Sequence, residues 1–146
     1  MRILPADPGL LTVSCDGAAR GNPGPAGFGV HITDEHGAVV GELSGWLGET
    51  TNNVAEYTAA REGLRRAAEL GARRVHLRSD SQLLIEQLSG RYKVKAAHLR
   101  PLYDDVVAAM SVFDAVSLEH VPRERNREAD RLANEGVDGG LGRRRP

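Results

Sequence analysis

Leu10-Leu11-Thr12-Val13-Ser14-Cys15-Asp16-Gly17-Ala18-Ala19-Arg20-Gly21-Asn22-Pro23-Gly24-Pro25-Ala26-Gly27-Phe28-Gly29 is the stretch from which the rest of the chain can be ordered. It opens as a strand. Leu11, Val13 and Cys15 fall on one side and Thr12, Ser14 and Asp16 on the other, the alternation of a half-buried β-strand. The chain then enters a segment too rich in Gly and Pro for helix or regular sheet. A carboxylate at the end of an apolar strand, followed by a tight loop of small residues, suits a charged centre approached closely by a polymer backbone. Glycine leaves the room and takes the backbone angles that such an approach needs. By itself Asp16 reads equally well as a turn aspartate, because turns are full of Asp, Gly, Asn and Pro.

From there the periodicity sets out a series of elements. Ala26 to Thr33, with Phe28, Val30 and Ile32 alternating, reads as a second strand, Asp34-Glu35-His36-Gly37 as its turn, and Ala38 to Leu47 as a third strand. Two short connections in succession imply an antiparallel meander. The period then becomes helical from Asn52 to Leu70, with Ala55, Ala59, Gly63, Leu64, Ala67 and Leu70 on one stripe. Thr50 to Asn53 supply capping chemistry at its start, and Gly71 marks its end. Arg74 to Ser79 reads as a fourth strand and Asp80 to Leu88 as a short helix, with Ser79 and Gln82 spaced as a capping box. A loop over Arg91 to Ala97 follows, then a helix over His98 to Val112 with Pro101 in its first turn. Ala115 to Val121 gives a fifth strand, and Asn126 to about Val137 a last helix. The order βββαβααβα implies an α/β fold: a mixed five-stranded sheet, three antiparallel strands and then parallel ones, with helices on both faces.

A chain of 146 residues, 40% hydrophobic and 27% charged, is that of one ordinary globular domain with its own core. Residues 1–9 read as an N-terminal arm and 10–139 as the domain. Residues 140–146 read as a flexible basic tail or the start of a linker to a fused C-terminal domain. A single cysteine excludes an internal disulfide framework and a Cys-based zinc site, and points to a reducing cytoplasm. No apolar run is long enough to cross a membrane, and no signal-peptide core is present at the start. A compact domain of this kind is a monomer by default. The formal net charge of −1 argues against a strongly basic nucleic-acid-binding module. It argues less against an enzyme that holds cations, because bound metal reverses the local charge.

Three further acids stand where an acid is awkward. Glu56 shares the core-facing stripe with Ala59, Ala60, Gly63, Leu64 and Ala67, a costly place for a carboxylate unless it is paired or metal-bound. Asp80 ends the fourth strand, and ligands of such sheets collect near the carboxyl ends of strands. Asp130 lies in the first turn of the last helix. Singly, Glu56 and Asp130 can be explained by the helix dipole and Asp80 by helix capping. Together, Asp16, Glu56, Asp80 and Asp130 make an all-oxygen acidic set that suits Mg²⁺ or Mn²⁺ better than zinc. Two such ions about 3.5–4 Å apart are a known device for cleaving phosphodiesters.

Four motifs resemble those of ribonuclease HI, the type 1 ribonuclease H family. They are Asp16 to Pro25, Thr51-Asn52-Asn53-Val54-Ala55-Glu56-Tyr57, Ser79-Asp80-Ser81-Gln82, and Val121-Pro122-Arg123-Glu124-Arg125-Asn126-Arg127-Glu128-Ala129-Asp130. They occur in the family's order and span roughly Leu10 to Gly139. The resemblance implies the ribonuclease H-like fold and endonucleolytic hydrolysis of the RNA strand of an RNA/DNA hybrid, leaving 5′-phosphate and 3′-hydroxyl ends. It also implies that Asp16, Glu56, Asp80 and Asp130 hold two Mg²⁺ ions, or Mn²⁺ in their place, with Asp16 bridging. Backbone at Gly17, Ala18, Ala19 and Arg20, and the side chains of Asn22, Asn52, Asn53 and Gln82, match positions that meet the substrate, where small polar groups read 2′-hydroxyls. Thr51 matches a position for a phosphate of the DNA strand.

Two departures follow. The long basic protrusion of well-studied members shrinks here to Ser89 to Ala97, so hybrid binding is expected to be weak and steeply salt-sensitive. A loop histidine that assists many members is replaced by Arg123, which is expected to take that auxiliary role as in the protrusion-less subgroup, with His120 a structural residue. A DNA-cutting transposase, integrase or resolvase of the same fold is the nearest alternative, and a catalytically silent hybrid-binding module the next.

Overall fold

Residues 9–143 are described by a computed structural model; the arm up to residue 8 and the last residues, 144–146, lie outside the described part. Among the described residues the elements are β1 (Leu10–Ala19), β2 (Gly24–Thr33), β3 (Val39–Thr50), α1 (Asn52–Glu69), β4 (Arg74–Ser79), α2 (Gln82–Leu88), α3 (Arg100–Met110), β5 (Ala115–His120) and α4 (Arg127–Arg143). Short 3₁₀ turns at Ala97–Leu99 and Arg123–Arg125 precede α3 and α4. The sheet order is β3-β2-β1-β4-β5, with β1, β2 and β3 antiparallel and β4 and β5 parallel to β1 and to each other. The expected mixed five-stranded α/β sheet is therefore present.

Alternation decides which layer each strand residue enters. Leu11, Val13 and Cys15 of β1, Val30 and Ile32 of β2 and Val75 and Leu77 of β4 are all buried beneath α1, whose Ala59, Ala60, Leu64 and Ala67 complete the main core. Leu84 and Leu88 of α2 and Val106 of α3 close the same layer. The opposite face is covered by α4 through Ala129, Leu132, Ala133 and Val137. This second layer is thin because glycines line it: a Cβ at Gly27 or Gly29 would strike α4 backbone, and one at Gly136 would strike the Gly45 carbonyl.

The same packing corrects the far end of the chain. The helix continues past Val137 to Arg143, so residues 140–143 are helical and not the start of a flexible tail. Gly136 and Gly140 lie one turn apart on the sheet-facing side, and Gly140 is buried against the Trp46 ring. A face built from glycine offers no apolar stripe, so periodicity stops short of it.

The hairpin is also tighter than the Gly/Pro content implies. β1 runs on to Ala19 and β2 begins at Gly24, because the ladder continues through Gly17↔Phe28, Ala18↔Gly27 and Ala19↔Ala26. Strand pairing overrides poor local propensity here. At α2 the cap is Ser81, whose hydroxyl accepts from the Leu84 N–H, and not the expected Ser79–Gln82 box. Ser79 instead accepts from the Ser81 N–H, folding the chain sharply behind Asp80.

Candidate active site

Asp16, Glu56 and Asp80 come from three elements and meet at one rim of the sheet. One carboxylate oxygen from each lies within 4.8 Å of the others. Asp16 is 4% exposed although it sits near a strand end, because α4 covers its face of β1. Glu56 reaches the same point from α1, on the other face. Its Oε2 accepts the Gly17 N–H at 3.1 Å, and a Cβ at Gly17 would collide with the backbone of Ala55 and Glu56. Glycine at 17 thus lets helix and strand approach closely enough for the two carboxylates to converge. Asp80 follows β4, held by a backbone bond from the Val121 N–H to the Ser79 carbonyl and by His120 Nε2 at 3.2 Å from the Asp80 carbonyl.

The fourth acid is carried in by a residue that the sequence reading left without a role. Asn126, 2% exposed, donates its side-chain amide to the Cys15 carbonyl at 3.0 Å. Its backbone carbonyl accepts the Asp130 N–H at 3.1 Å. The start of α4 is thereby pinned to the residue preceding Asp16, and Asp130 is brought alongside the other three acids. Its Oδ1 lies 3.9 Å from Arg123 Nη2 and 3.4 Å from Asn134 Nδ2.

Crowded like charges with little water shift the site's protonation strongly. Burial first, then the charges of Glu56 and Asp80, push Asp16 up to about 10. Burial and the Asp80 charge push Glu56 up to about 8, against a lowering contribution from the Gly17 N–H. Asp80 is raised by burial and by Asp130, while Asp16 and Arg123 pull it down. Without a cation the cluster titrates as a unit and holds protons near neutral pH. The set fits a hard divalent cation: oxygen donors only, converging from rigid elements, with repulsion that a cation would relieve. Cys15, directly beneath, has its thiol raised by burial and by these same acids, so it is no nucleophile.

The acids floor an open cleft of about 600 Å³ that is also lined by Gly17, Ala18, Ala19, Arg20, Asn52, Asn53 and Arg123. The Gly17–Arg20 backbone and the asparagine pair are therefore assembled in one place. Arg123 stands at the margin with its side chain 79% exposed. Asn22, Thr51 and Gln82 do not line the cleft. Asn22 Oδ1 accepts the Asn52 N–H, Thr51 caps α1 by accepting from the Val54 N–H, and Gln82 is an exposed residue opening α2. Ser81, His120 and Asn134 line the cleft without having been singled out for it. Only Asn134 carried a legible signal, standing one helical turn after Asp130.

Comparison with known proteins agrees with this geometry. A family profile described as Reverse transcriptase-like matches residues 14–136. A bifunctional protein of Mycobacterium tuberculosis is 46% identical over 129 residues, covering 88% of this chain but 35% of its own length. The chain thus spans about a third of that relative. The solved N-terminal RNase H domain of the same mycobacterial protein superposes with a TM-score of 0.88 at 42% identity, over 91% of this chain and 96% of that one. Ribonuclease HI of Halobacterium salinarum is 40% identical over 136 residues, covering 93% of this chain and 68% of its own. LC11-RNase H1, solved in complex with an RNA/DNA hybrid, matches with a TM-score of 0.85 and 42% identity over 90% of this chain and 99% of that one. The five-stranded sheet, the convergent acids and these relatives together show that the chain belongs to the ribonuclease HI (type 1 ribonuclease H) family.

Proposed function

We propose that this chain is an endoribonuclease that hydrolyses the RNA strand of RNA/DNA hybrids, leaving 5′-phosphate and 3′-hydroxyl ends. The observation that carries the reading is the meeting of Asp16, Glu56 and Asp80 within 4.8 Å at the floor of an open cleft. The hybrid-bound relative supports the substrate class. Asp16, Glu56, Asp80 and Asp130 would hold two Mg²⁺ ions, with Mn²⁺ as the alternative. When bound, such ions promote attack of water on the phosphodiester and offset charge on the leaving oxygen.

The chain's own groups place the substrate. Backbone amides along Gly17 to Arg20 and the side chains of Asn52 and Asn53 border the acids, where they can read the 2′-hydroxyl that marks RNA. Asn22 already accepts from the Asn52 N–H, which leaves its amide nitrogen to donate to the backbone of the hybrid. Thr51 accepts from Val54, so its own O–H points the other way in the hydrogen-bond scheme and donates to a DNA phosphate. Gln82 contacts the hybrid from outside the cleft. Arg123 cannot give up its proton, so its auxiliary role is electrostatic: it draws the cleaved phosphate away from the acids. The protein acts as a monomer in the reducing cytoplasm. A cleft built from one chain and a buried thiol support this.

A labelled hybrid tests the reading, incubated with Mg²⁺, with Mn²⁺ and with chelator, beside duplex DNA and the Asp16→Asn variant. Cleavage of the RNA strand alone, lost with chelator and in the variant, is expected. Chelator-resistant cleavage, or preference for duplex DNA, would overturn it.

A further inference from the structure

The hairpin turn and the last helix are joined by a chain of polar contacts that the cleavage scheme above does not use. Arg20, first residue of the β1–β2 turn, places Nη1 at 2.7 Å from Asp138 Oδ1. Its Nη2 donates to Asn134 Oδ1 at 3.3 Å. Asn134 in turn donates Nδ2 to the Asp130 backbone carbonyl at 3.0 Å and to Asp130 Oδ1 at 3.4 Å. The order of atoms matters. An amide has a donor end and an acceptor end, and only one orientation presents N–H to a carboxylate. The reversed orientation would set the Asn134 oxygen against the Asp130 carboxylate. Arg20, a donor only, engages the oxygen end and so selects the productive orientation.

We infer that Asn134 and Arg20 are positioning residues that fix the Asp130 carboxylate, with Asp138 holding Arg20 in place. Asn134 and Arg123 converge on the same oxygen, Oδ1 of Asp130, and steady its side chain from two directions. Because Arg20 belongs to the turn whose backbone borders the cleft, the contact also couples the substrate-facing hairpin to the fourth acid. The pairs are partly exposed, so each is a weak contributor to folding. Their effect falls on one rotamer.

The inference rests on the nuclease reading, and the test keeps the two apart. Divalent-ion binding is measured by calorimetry with no substrate present, on the wild type, Asn134→Ala, Arg20→Ala and Asp130→Asn, and on Asn134→Ala combined with Asp130→Asn. Asn134→Ala is expected to weaken Mn²⁺ binding and lower kcat by about three- to tenfold, the size of one screened hydrogen bond to a charge, with KM for hybrid unchanged. Arg20→Ala should weaken ion binding in the same direction. In the Asp130→Asn background Asn134→Ala should have no further effect. Unchanged ion binding in both single variants, or an equal loss in the Asp130→Asn background, would overturn the inference. Failure of the wild type to cleave any hybrid would sink the nuclease reading instead, while calorimetry still decides the positioning roles.

Discussion

Asp16 and Glu56 carry opposite obligations at the residue scale: they are buried, and they are charged acids. Both hold a proton more tightly folded than unfolded, since their values rise from 3.8 to about 10 and from 4.5 to about 8. A group raised in this way lends stability below its unfolded pKa and withdraws it as pH climbs through the folded one. The metal-free protein should therefore lose thermal stability progressively from about pH 4, through the Glu56 value of about 8, to the Asp16 value of about 10, and saturating Mg²⁺ should cancel most of that loss. Melting curves with chelator and with Mg²⁺ across that range check both parts. Asp16→Asn, which removes the need to take up a proton there on folding, should melt higher than wild type in chelator near neutral pH while losing cleavage. Arg123→Ala should lower turnover, as single-turnover and steady-state rates would show, and any change it makes in ion binding should be smaller than that of Asn134→Ala, because its 3.9 Å contact with Asp130 is the longer one. A different economy governs Tyr57, whose hydroxyl donates to Gln87 Oε1 at 2.5 Å inside the core. Burial pushes that phenol up to about 12, so it stays a donor at any working pH. Tyr57→Phe strands the Gln87 acceptor and should cost about 1–3 kcal/mol by urea unfolding. It should also loosen the Arg91–Ala97 loop, which Gln87 holds through the Lys93 carbonyl.

Among the elements, α4 is the one whose placement is fixed by absences. Gly29 faces Ala129 and Ala133 so closely that a methyl group there would strike helix backbone, which cannot swing aside as a flexible side chain can. Gly29→Ala should cost about 1–3 kcal/mol or somewhat more, as overpacking does. It should also depress cleavage, because Ala129 is next to Asp130; a rise in the Mg²⁺ concentration for half-maximal rate, measured beside the denaturation midpoint, would separate the two effects. The same helix shows where sequence reading stops. Strands alternating Leu11, Val13, Cys15 and a helix striped with Ala55, Ala59 and Leu64 announce themselves, because burying an apolar face leaves a period in the chain. Beyond Val137 the buried position is Gly140, and burial of that kind leaves none. The acids were legible for the opposite reason: Glu56 on an apolar stripe is an anomaly that only a partner resolves. Asn126 looks like an ordinary cap residue until the fold brings Cys15 to it, and Asn134, legible only by its place one turn after Asp130, shows its second partner once Arg20 arrives.

For the whole molecule, the question is how a chain of net charge −1 with an acidic cleft engages a polyanion. Its answer lies in few cations and in the ions it recruits. Of the shortened loop, Arg91 is spent on Glu86 at 2.6 Å, which leaves Lys93 and Lys95 as that loop's exposed cations. On the cleft, Arg20 is tied to Asp138, and Arg123 faces Asp130. A footprint of about three to four phosphates implies a slope near −3 in log K against log salt, or roughly a sixtyfold loss of affinity for a fourfold rise in salt. The metal-free cleft repels the hybrid backbone in addition, so affinity should fall further in chelator. Fluorescence anisotropy with the wild-type protein, its four acids intact, on one labelled hybrid with non-hydrolysable linkages in the RNA strand measures both dependences. An affinity indifferent to salt would mean that the hybrid is held by something other than these cations. An affinity indifferent to divalent ions would mean that the backbone never approaches the carboxylates at all, and the site would then lack its substrate.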